Sequence, residues 1–208
     1  MKLYTYPPAP SPQRVALFMK VKNIELPIEL VDMKTQAHMS ESFKKVNPRM
    51  TLPTLVLEDG TVISEVVAIC RYLEAYFPDY SPSLLGEEAK EQALICEWDH
   101  RIETELLLAI ADALRNRGQG FKDRALPGAL NLTQIPELVP RGLKRIEAFF
   151  AILDQQLSSN EHIAGQKFSV ADITAFVAIK FSAWVKVEVS EQYVHLHRWF
   201  KQVSARLG

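Results

Sequence analysis

The residues best suited to chemistry near the start of the chain lie in the segment "YPPAPSPQRV", residues 6–15. A strand-like run precedes it and an apolar helical pattern follows, so we expect a proline-stiffened loop that enters a helix. The N–H groups at a helix start lack intrahelical partners, and this end of the helix dipole favours an anion. The Ser11 hydroxyl either adds a donor to such a site or caps the helix itself.

Three other residues stand at positions with a local structural interpretation. Pro53 precedes the strand-like run "TLVL", and a cis Leu52–Pro53 bond at a strand edge is one solution, although only about 5% of X–Pro bonds are cis. Glu65 stands where a long helix begins, and a carboxylate there complements the helix dipole, worth about 0.3–1 kcal/mol. His38 lies in a predicted loop, where a histidine is usually a solvated residue.

The acidic cluster in "EWDHRIETELL" does not predict a metal site. Asp99 and Glu103 share a helix face, but no second histidine stands at a useful spacing from His100. We therefore expect a solvated surface or a face that meets another subunit, and we predict no metal.

The N-terminal part of the chain must position these residues with short, mixed elements. Strand-like and helical periodicities alternate in the order βαβαββα, which ends with the helical run "EVVAICRYLEAYF". The pattern changes at "PDYSPSLLG", and everything afterwards is helical in period. We expect helices over about 87–116, 135–158, 170–186 and 191–206.

The third of these helices has a clear start signal. Ser169 stands at the capping position, and Asp172 stands three residues later, where its carboxylate can accept the Ser169 N–H. The following run "VADITAFVAIKFSAW" is apolar on nearly all faces, so we expect this helix at the centre of its domain. Ser169 and Asp172 therefore have structural roles in our interpretation.

Composition excludes several classes of function. The 208 residues carry a formal net charge of -1, and no basic patch with interleaved aromatic residues is present, so we expect no nucleic-acid partner. No apolar run approaches the roughly 18 residues of a spanning helix, and "MKLYTYPP" lacks a signal-peptide core, so we expect a cytoplasmic protein without a membrane partner. We expect Cys70 and Cys96 to be buried, unpaired apolar groups, and the sequence has no C-x-x-C motif.

The segments "LPTLVLEDGTVISEVVAICRYL" and "HIAGQKFSVADITA", at this spacing, resemble those of cytosolic glutathione transferases, and the resemblance covers essentially the whole chain. It implies an α/β thioredoxin-like N-terminal domain, βαβαββα, followed by an all-α C-terminal domain. The implied boundaries are 1–77 for the glutathione-binding domain, 78–86 for the linker and 87–208 for the helical domain that carries the second-substrate site.

The resemblance also implies how glutathione binds. A cis Leu52–Pro53 bond exposes the Leu52 backbone, which pairs with the cysteinyl unit like an added strand. Glu65 receives the ligand ammonium, while Val66 stands where the family has Ser or Thr, a loss that Ser64 partly replaces. For the glycine carboxylate the resemblance implies His38. Thr51 stands where the family has Lys or Gln, so Lys45 or Arg49 is a candidate to assist.

The usual thiol-activating residue is missing from this chain. The family's Ser or Cys falls on Ala9, and neither Tyr6 nor Ser11 matches a catalytic position in register. The sequence thus resembles an atypical bacterial and fungal branch without that residue. We expect Ser11, backbone N–H groups of a helix starting near residue 12 or 13, and a bound water to stabilise the thiolate.

The predicted function is a glutathione transferase, with glutathione as co-substrate, that conjugates a small hydrophobic electrophile in detoxification. The alternatives are a non-catalytic glutathione-binding or scaffold protein and a glutathione-dependent isomerase or peroxidase. The resemblance implies a homodimer, to which Asp99 is the candidate for an acid that faces the partner subunit. The candidate residues for the electrophile site are Leu107, Ala111, Arg115 and Trp184.

Overall fold

The computed structural model describes residues 1–79 and 82–208, which form two compact units. The first unit comprises Met1–Pro82 with Leu126–Asn131, and the second comprises Ser83–Ala125 with Leu132–Gly208. Residues 80 and 81 of the predicted linker lie outside the described residues. The division into 1–77, 78–86 and 87–208 stays a prediction.

The first unit has the predicted βαβαββα order. Its elements are β1 (Lys2–Thr5), α1 (Pro10–Lys22), β2 (Ile28–Leu30), α2 (Glu41–Val46), β3 (Thr54–Val56), β4 (Val62–Ile63) and α3 (Val66–Tyr76). The strands form a four-stranded sheet in the order β2-β1-β3-β4. Strand β1 runs parallel to β2 and antiparallel to β3, which is antiparallel to β4. The thioredoxin-like arrangement is therefore confirmed.

The register of this sheet brings three chain segments to one end. Tyr4 of β1 pairs with Thr54 of β3, and Ile63 of β4 pairs with Leu55. Because β3 runs antiparallel to both neighbours, the last residues of β1 and β4 lie beside the first residues of β3. The loop after β1, the Leu52–Pro53 bond and the start of α3 therefore meet at this end of the sheet.

Helix α1 contacts α3 through an apolar face that also buries a charged pair. Val15, Phe18 and Lys22, at helical spacing, are all buried. The Lys22 ammonium lies 2.9 Å from the Glu74 carboxylate and donates to the Pro82 carbonyl at 3.0 Å. A buried lysine requires such partners, so this pair fixes α1 against α3.

The second unit is helical, as the sequence predicts. Its helices are α4 (Ala89–Arg101), α5 (Leu108–Arg115), α6 (Leu138–Leu157), α7 (Val170–Ser182) and α8 (Val194–Leu207). The first predicted helix is interrupted by a π-helical segment, Ile102–Leu107, which separates α4 from α5. Helices α5 and α6 approach closely at Gly142, where a Cβ atom would lie 2.6 Å from the Ala109 carbonyl oxygen.

Helix α7 is the centre of this unit, because all its residues except Lys180 are buried. The Asp172 carboxylate accepts the Ser169 N–H at 2.9 Å, as predicted, and also the Ile163 N–H at 3.1 Å. The Trp199 indole N–H donates to it at 2.7 Å. One buried carboxylate therefore joins the start of α7 to the preceding loop and to α8.

Two predictions about side-chain exposure are wrong. Asp99 is buried and accepts a 2.5 Å hydrogen bond from the Thr174 hydroxyl of α7, so it is neither a solvated acid nor one that faces a partner subunit. The cause is that its side of α4 packs against α7. Cys96 is exposed, whereas Cys70 is buried, and neither forms a disulfide bond within the described part of the chain.

In residues 1–79 and 82–208, no helix is both long enough and apolar enough to cross a membrane. The same residues contain no group of three or more His, Cys, Asp or Glu side chains that could hold a metal ion.

We expect Asp172→Ala to destabilise the protein strongly, because it leaves the buried donors of Ser169, Ile163 and Trp199 without their acceptor. Removing one partner from such a buried network costs about 3–5 kcal/mol. Urea unfolding followed by circular dichroism measures the change. Trp199→Phe removes one of these donors together with part of a fully buried ring and serves as a comparison. A loss below about 1 kcal/mol for Asp172→Ala, the worth of one hydrogen bond, would contradict the role of Asp172 as the shared acceptor.

Candidate functional site

The helix that follows β1 begins earlier than the sequence predicts. Its first residue is Pro10 and its N-cap is Ala9, rather than a start near residue 12 or 13. The physical reason is that the φ of proline suits the first helical turn, where the missing N–H has no intrahelical partner to lose. Ser11 is therefore the second residue of α1, and its interpretation as the N-cap is wrong.

Because of this earlier start, the N-terminal turn of α1 has few backbone N–H donors without a partner. The Ala9 N–H donates to the Tyr6 carbonyl at 3.0 Å and the Gln13 N–H to the Ala9 carbonyl at 3.0 Å, while Pro10 and Pro12 have no N–H. Within the described residues, the Ser11 N–H is thus the single backbone donor of the first turn without a partner. The half-buried Ser11 supplies both that N–H and its hydroxyl.

A buried amide organises the turn that precedes β3. Asn47 is 2% exposed, and its side-chain NH₂ donates to the Thr51 carbonyl at 3.0 Å and to the Thr54 hydroxyl at 2.9 Å. Its side-chain oxygen accepts the Arg49 N–H at 3.0 Å. Met50 in the same turn has a φ of 53°. The Asn47 side chain therefore determines how the backbone between Arg49 and Thr54 runs.

The Leu52–Pro53 peptide bond is cis, as the resemblance implies. Pro53 is buried and Leu52 is half-buried. Among the described residues, no group forms a hydrogen bond with the Leu52 N–H or C=O. This backbone is therefore available to an extended ligand at the sheet end.

Helix α3 begins at the same sheet end without a side-chain cap. Its N-cap is Glu65, whose carbonyl accepts the Ile69 N–H at 2.9 Å, and no side chain of the described residues bonds the first-turn N–H groups of Val66, Val67 and Ala68. The Val66 side chain is buried, whereas Ser64 is half-buried. An uncapped helix start beside a carboxylate suits a ligand that carries both charges.

The Glu65 carboxylate already has a partner that sequence analysis did not foresee. The Arg49 guanidinium lies 2.7 Å from it, with the two side chains 64% and 56% exposed. The sequence placed Arg49 only as a possible aid at the glycine end. Because the two residues belong to different elements, only the register of the sheet and the Asn47 turn bring them together.

His38 lies in a short 3-10 segment, Ala37–Met39, just before α2. It is 8% exposed. The interpretation of His38 as a solvated loop residue is therefore wrong, whereas its role toward a ligand stays a prediction.

The four candidates for the electrophile site differ in their surroundings. Leu107 is buried, Ala111 is half-buried and Trp184 is 54% exposed. Arg115 donates to the carbonyl groups of Arg124 at 2.8 Å and Ala125 at 3.1 Å. Burial lowers the Arg115 pKa to about 10, which leaves the side chain charged at neutral pH. These hydrogen bonds favour a structural role for Arg115, in which it holds the backbone at Arg124 and Ala125.

Comparisons with known proteins agree with this geometry. Residues 9–75 match the model of the glutathione S-transferase N-terminal domain, and residues 98–206 match that of the C-terminal domain. Glutathione S-transferase 2 of Saccharomyces cerevisiae is 30% identical, over 99% of this chain and 86% of that protein.

Two solved structures are similar over nearly their whole length. A glutathione S-transferase domain-containing protein of Marinobacter aquaeolei has a TM-score of 0.90 and 32% identity, and the match covers 99% of this chain and 98% of that one. A Gtt2-class glutathione S-transferase of Vibrio parahaemolyticus has a TM-score of 0.84 and 35% identity, with 99% and 94% covered. The chain belongs to the glutathione S-transferase family and is a transferase that uses glutathione as its co-substrate.

Proposed function

We propose that glutathione binds along the sheet end where α1, β3 and α3 begin, with its thiolate at Ser11. The observation that carries this proposal is the first turn of α1, whose free donors are the Ser11 N–H and hydroxyl. Two prolines remove the neighbouring donors, so an anion held there interacts with Ser11 and with the positive end of the α1 dipole.

We assign the remaining parts of the ligand to other polar groups of the first unit. The Leu52 N–H and C=O pair with the cysteinyl backbone as an added strand next to Pro53. Glu65 binds the γ-glutamyl ammonium, and the uncapped start of α3 at Val66 receives the adjoining carboxylate, with Ser64 beside it. His38 binds the glycine carboxylate.

Thiolate stabilisation is the chemical task of Ser11. A free thiol has a pKa of about 8.5, and lowering it by two units requires about 2.7 kcal/mol of preferential stabilisation of the thiolate. A charge-assisted hydrogen bond supplies about 1.5–3 kcal/mol, and the helix dipole adds about 0.3–1 kcal/mol. Ser11 and α1 together are therefore sufficient for this shift, without a tyrosine or a serine at position 9.

The thiolate then attacks a small hydrophobic electrophile. The sulfur lone pair forms the new carbon–sulfur bond, and the leaving group departs with the electron pair of the broken bond. Holding both reactants together and supplying the ionised nucleophile are the two sources of rate. We also propose that the enzyme acts in the cytoplasm as a homodimer, in detoxification; its membership of the family supports these three points.

We expect the thiol of bound glutathione to ionise well below its solution pKa. The ultraviolet difference spectrum of the protein with glutathione, titrated from acid to alkaline pH beside a protein-free control, measures the midpoint. Thiolate that appears near neutral pH supports an activating site. Binding without a shifted midpoint would contradict thiolate stabilisation and point to a carrier protein.

We expect Ser11→Ala to lower kcat by about tenfold or more and to raise the thiolate midpoint by about one unit, because one charge-assisted hydrogen bond is lost. Glutathione affinity changes little at acid pH, where the bound thiol is protonated. Ser64→Ala, which removes the same atom at the other end of the site, is the matched control; it weakens binding and leaves the midpoint unchanged. A neutral Ser11→Ala would assign the activation to the backbone N–H and to water.

A further inference from the structure

The Arg49–Glu65 pair is placed where the proposed function puts the γ-glutamyl end of glutathione. The guanidinium and the carboxylate lie 2.7 Å apart, and each side chain is more than half exposed. A pair as exposed as this is weak and exchanges readily with other charged groups. Both members therefore remain open to a charged ligand.

The backbone of Arg49 is held more firmly than its side chain. The buried Asn47 side chain accepts the Arg49 N–H at 3.0 Å, and its own amide is fixed by Thr51 and Thr54. The guanidinium is thus presented from a fixed turn, next to the uncapped start of α3.

Adjacent opposite charges of this kind match one chemical group in particular. An α-amino acid head carries an ammonium and a carboxylate on the same carbon atom, so an acid and an arginine in contact can bind both at once. Glutathione has such a head at its γ-glutamyl end, whereas its glycine end carries only a carboxylate. Arginine also suits carboxylates because its planar fork forms two parallel hydrogen bonds.

We propose that Arg49 recognises the α-carboxylate of the γ-glutamyl head while Glu65 recognises the ammonium, so that the ligand replaces the Arg49–Glu65 ion pair with two new ones. This inference rests on the proposed function, because it requires glutathione at this sheet end. Arg49 is then a specificity residue for the amino-acid head of glutathione and does not contact the glycine carboxylate. Its guanidinium also supplies a charged contact at the end of the site where Val66 lacks a hydroxyl.

The test compares glutathione with three analogues by isothermal titration calorimetry on the full-length protein. Glutaryl-cysteinyl-glycine lacks the ammonium, 4-aminobutyryl-cysteinyl-glycine lacks the α-carboxylate, and the glycine monoethyl ester lacks the glycine charge. We expect Arg49→Gln to weaken the binding of glutathione and of its ester by about tenfold. The affinity for the 4-aminobutyryl analogue should change by less than about twofold. Arg49→Lys, which keeps the charge without the fork, falls between.

Glu65→Gln provides the complementary measurement. We expect Glu65→Gln to weaken the binding of glutathione by a similar factor and to leave the binding of glutaryl-cysteinyl-glycine nearly unchanged. Lys44→Gln is the matched control, because Lys44 is an exposed cation of the same region that pairs with Glu41 at 3.3 Å. It should leave all four affinities unchanged.

Three outcomes would overturn the inference. A loss in Arg49→Gln that persists with the 4-aminobutyryl analogue and disappears with the ester would assign Arg49 to the glycine carboxylate. Tighter glutathione binding by Arg49→Gln would mean that Arg49 only competes for Glu65, and an equal loss in Lys44→Gln would mean nonspecific attraction. Failure of the unsubstituted protein to bind glutathione would instead remove the proposed function itself.

Discussion

The buried side chain of Asn47 is the interaction on which the geometry of the candidate site depends. A buried amide must satisfy its hydrogen-bonding groups, since leaving one unpaired costs about 1–3 kcal/mol. Asn47 does so with the backbone and hydroxyl groups of Thr51 and Thr54 and with the Arg49 N–H. The path of the chain into β3 meets all these bonds at once, and it places both the Leu52 backbone and Arg49.

Two helix starts supply the electrostatics of the same sheet end. In the first turn of α1, Pro10 and Pro12 have no N–H, so the Ser11 N–H is the one backbone donor without a partner among the described residues. The first turn of α3 keeps the N–H groups of Val66, Val67 and Ala68. A thiolate presents one sulfur atom to its donors, whereas a carboxylate presents two oxygens that accept several hydrogen bonds. The different composition of the two helix starts thus fits the two different anionic groups of glutathione.

In the helical unit, too, buried polar side chains must find hydrogen-bond partners, but there the bonds hold the core together. Asp172 and Asp99 are buried carboxylates, and their partners are N–H groups, an indole and a hydroxyl of the unit itself. These hydrogen bonds stay inside the helical unit, so they stabilise its packing. In the first unit, by contrast, the Leu52 backbone and the first-turn N–H groups of α3 have no hydrogen-bond partner among the described residues, which is what the proposed binding site requires.

The sequence by itself determined the order of elements, the helical second half, the Ser169–Asp172 cap and the family, because periodicity, caps and turn residues are local signals. Tertiary structure decided what depends on neighbours distant in the chain. Asp99 and Cys96 share one predicted helix, yet packing against α7 buries the first and leaves the second exposed. The Arg49–Glu65 pair likewise arises from the strand register and the Asn47 turn. No local sequence pattern shows that these two features bring Arg49 and Glu65 into contact.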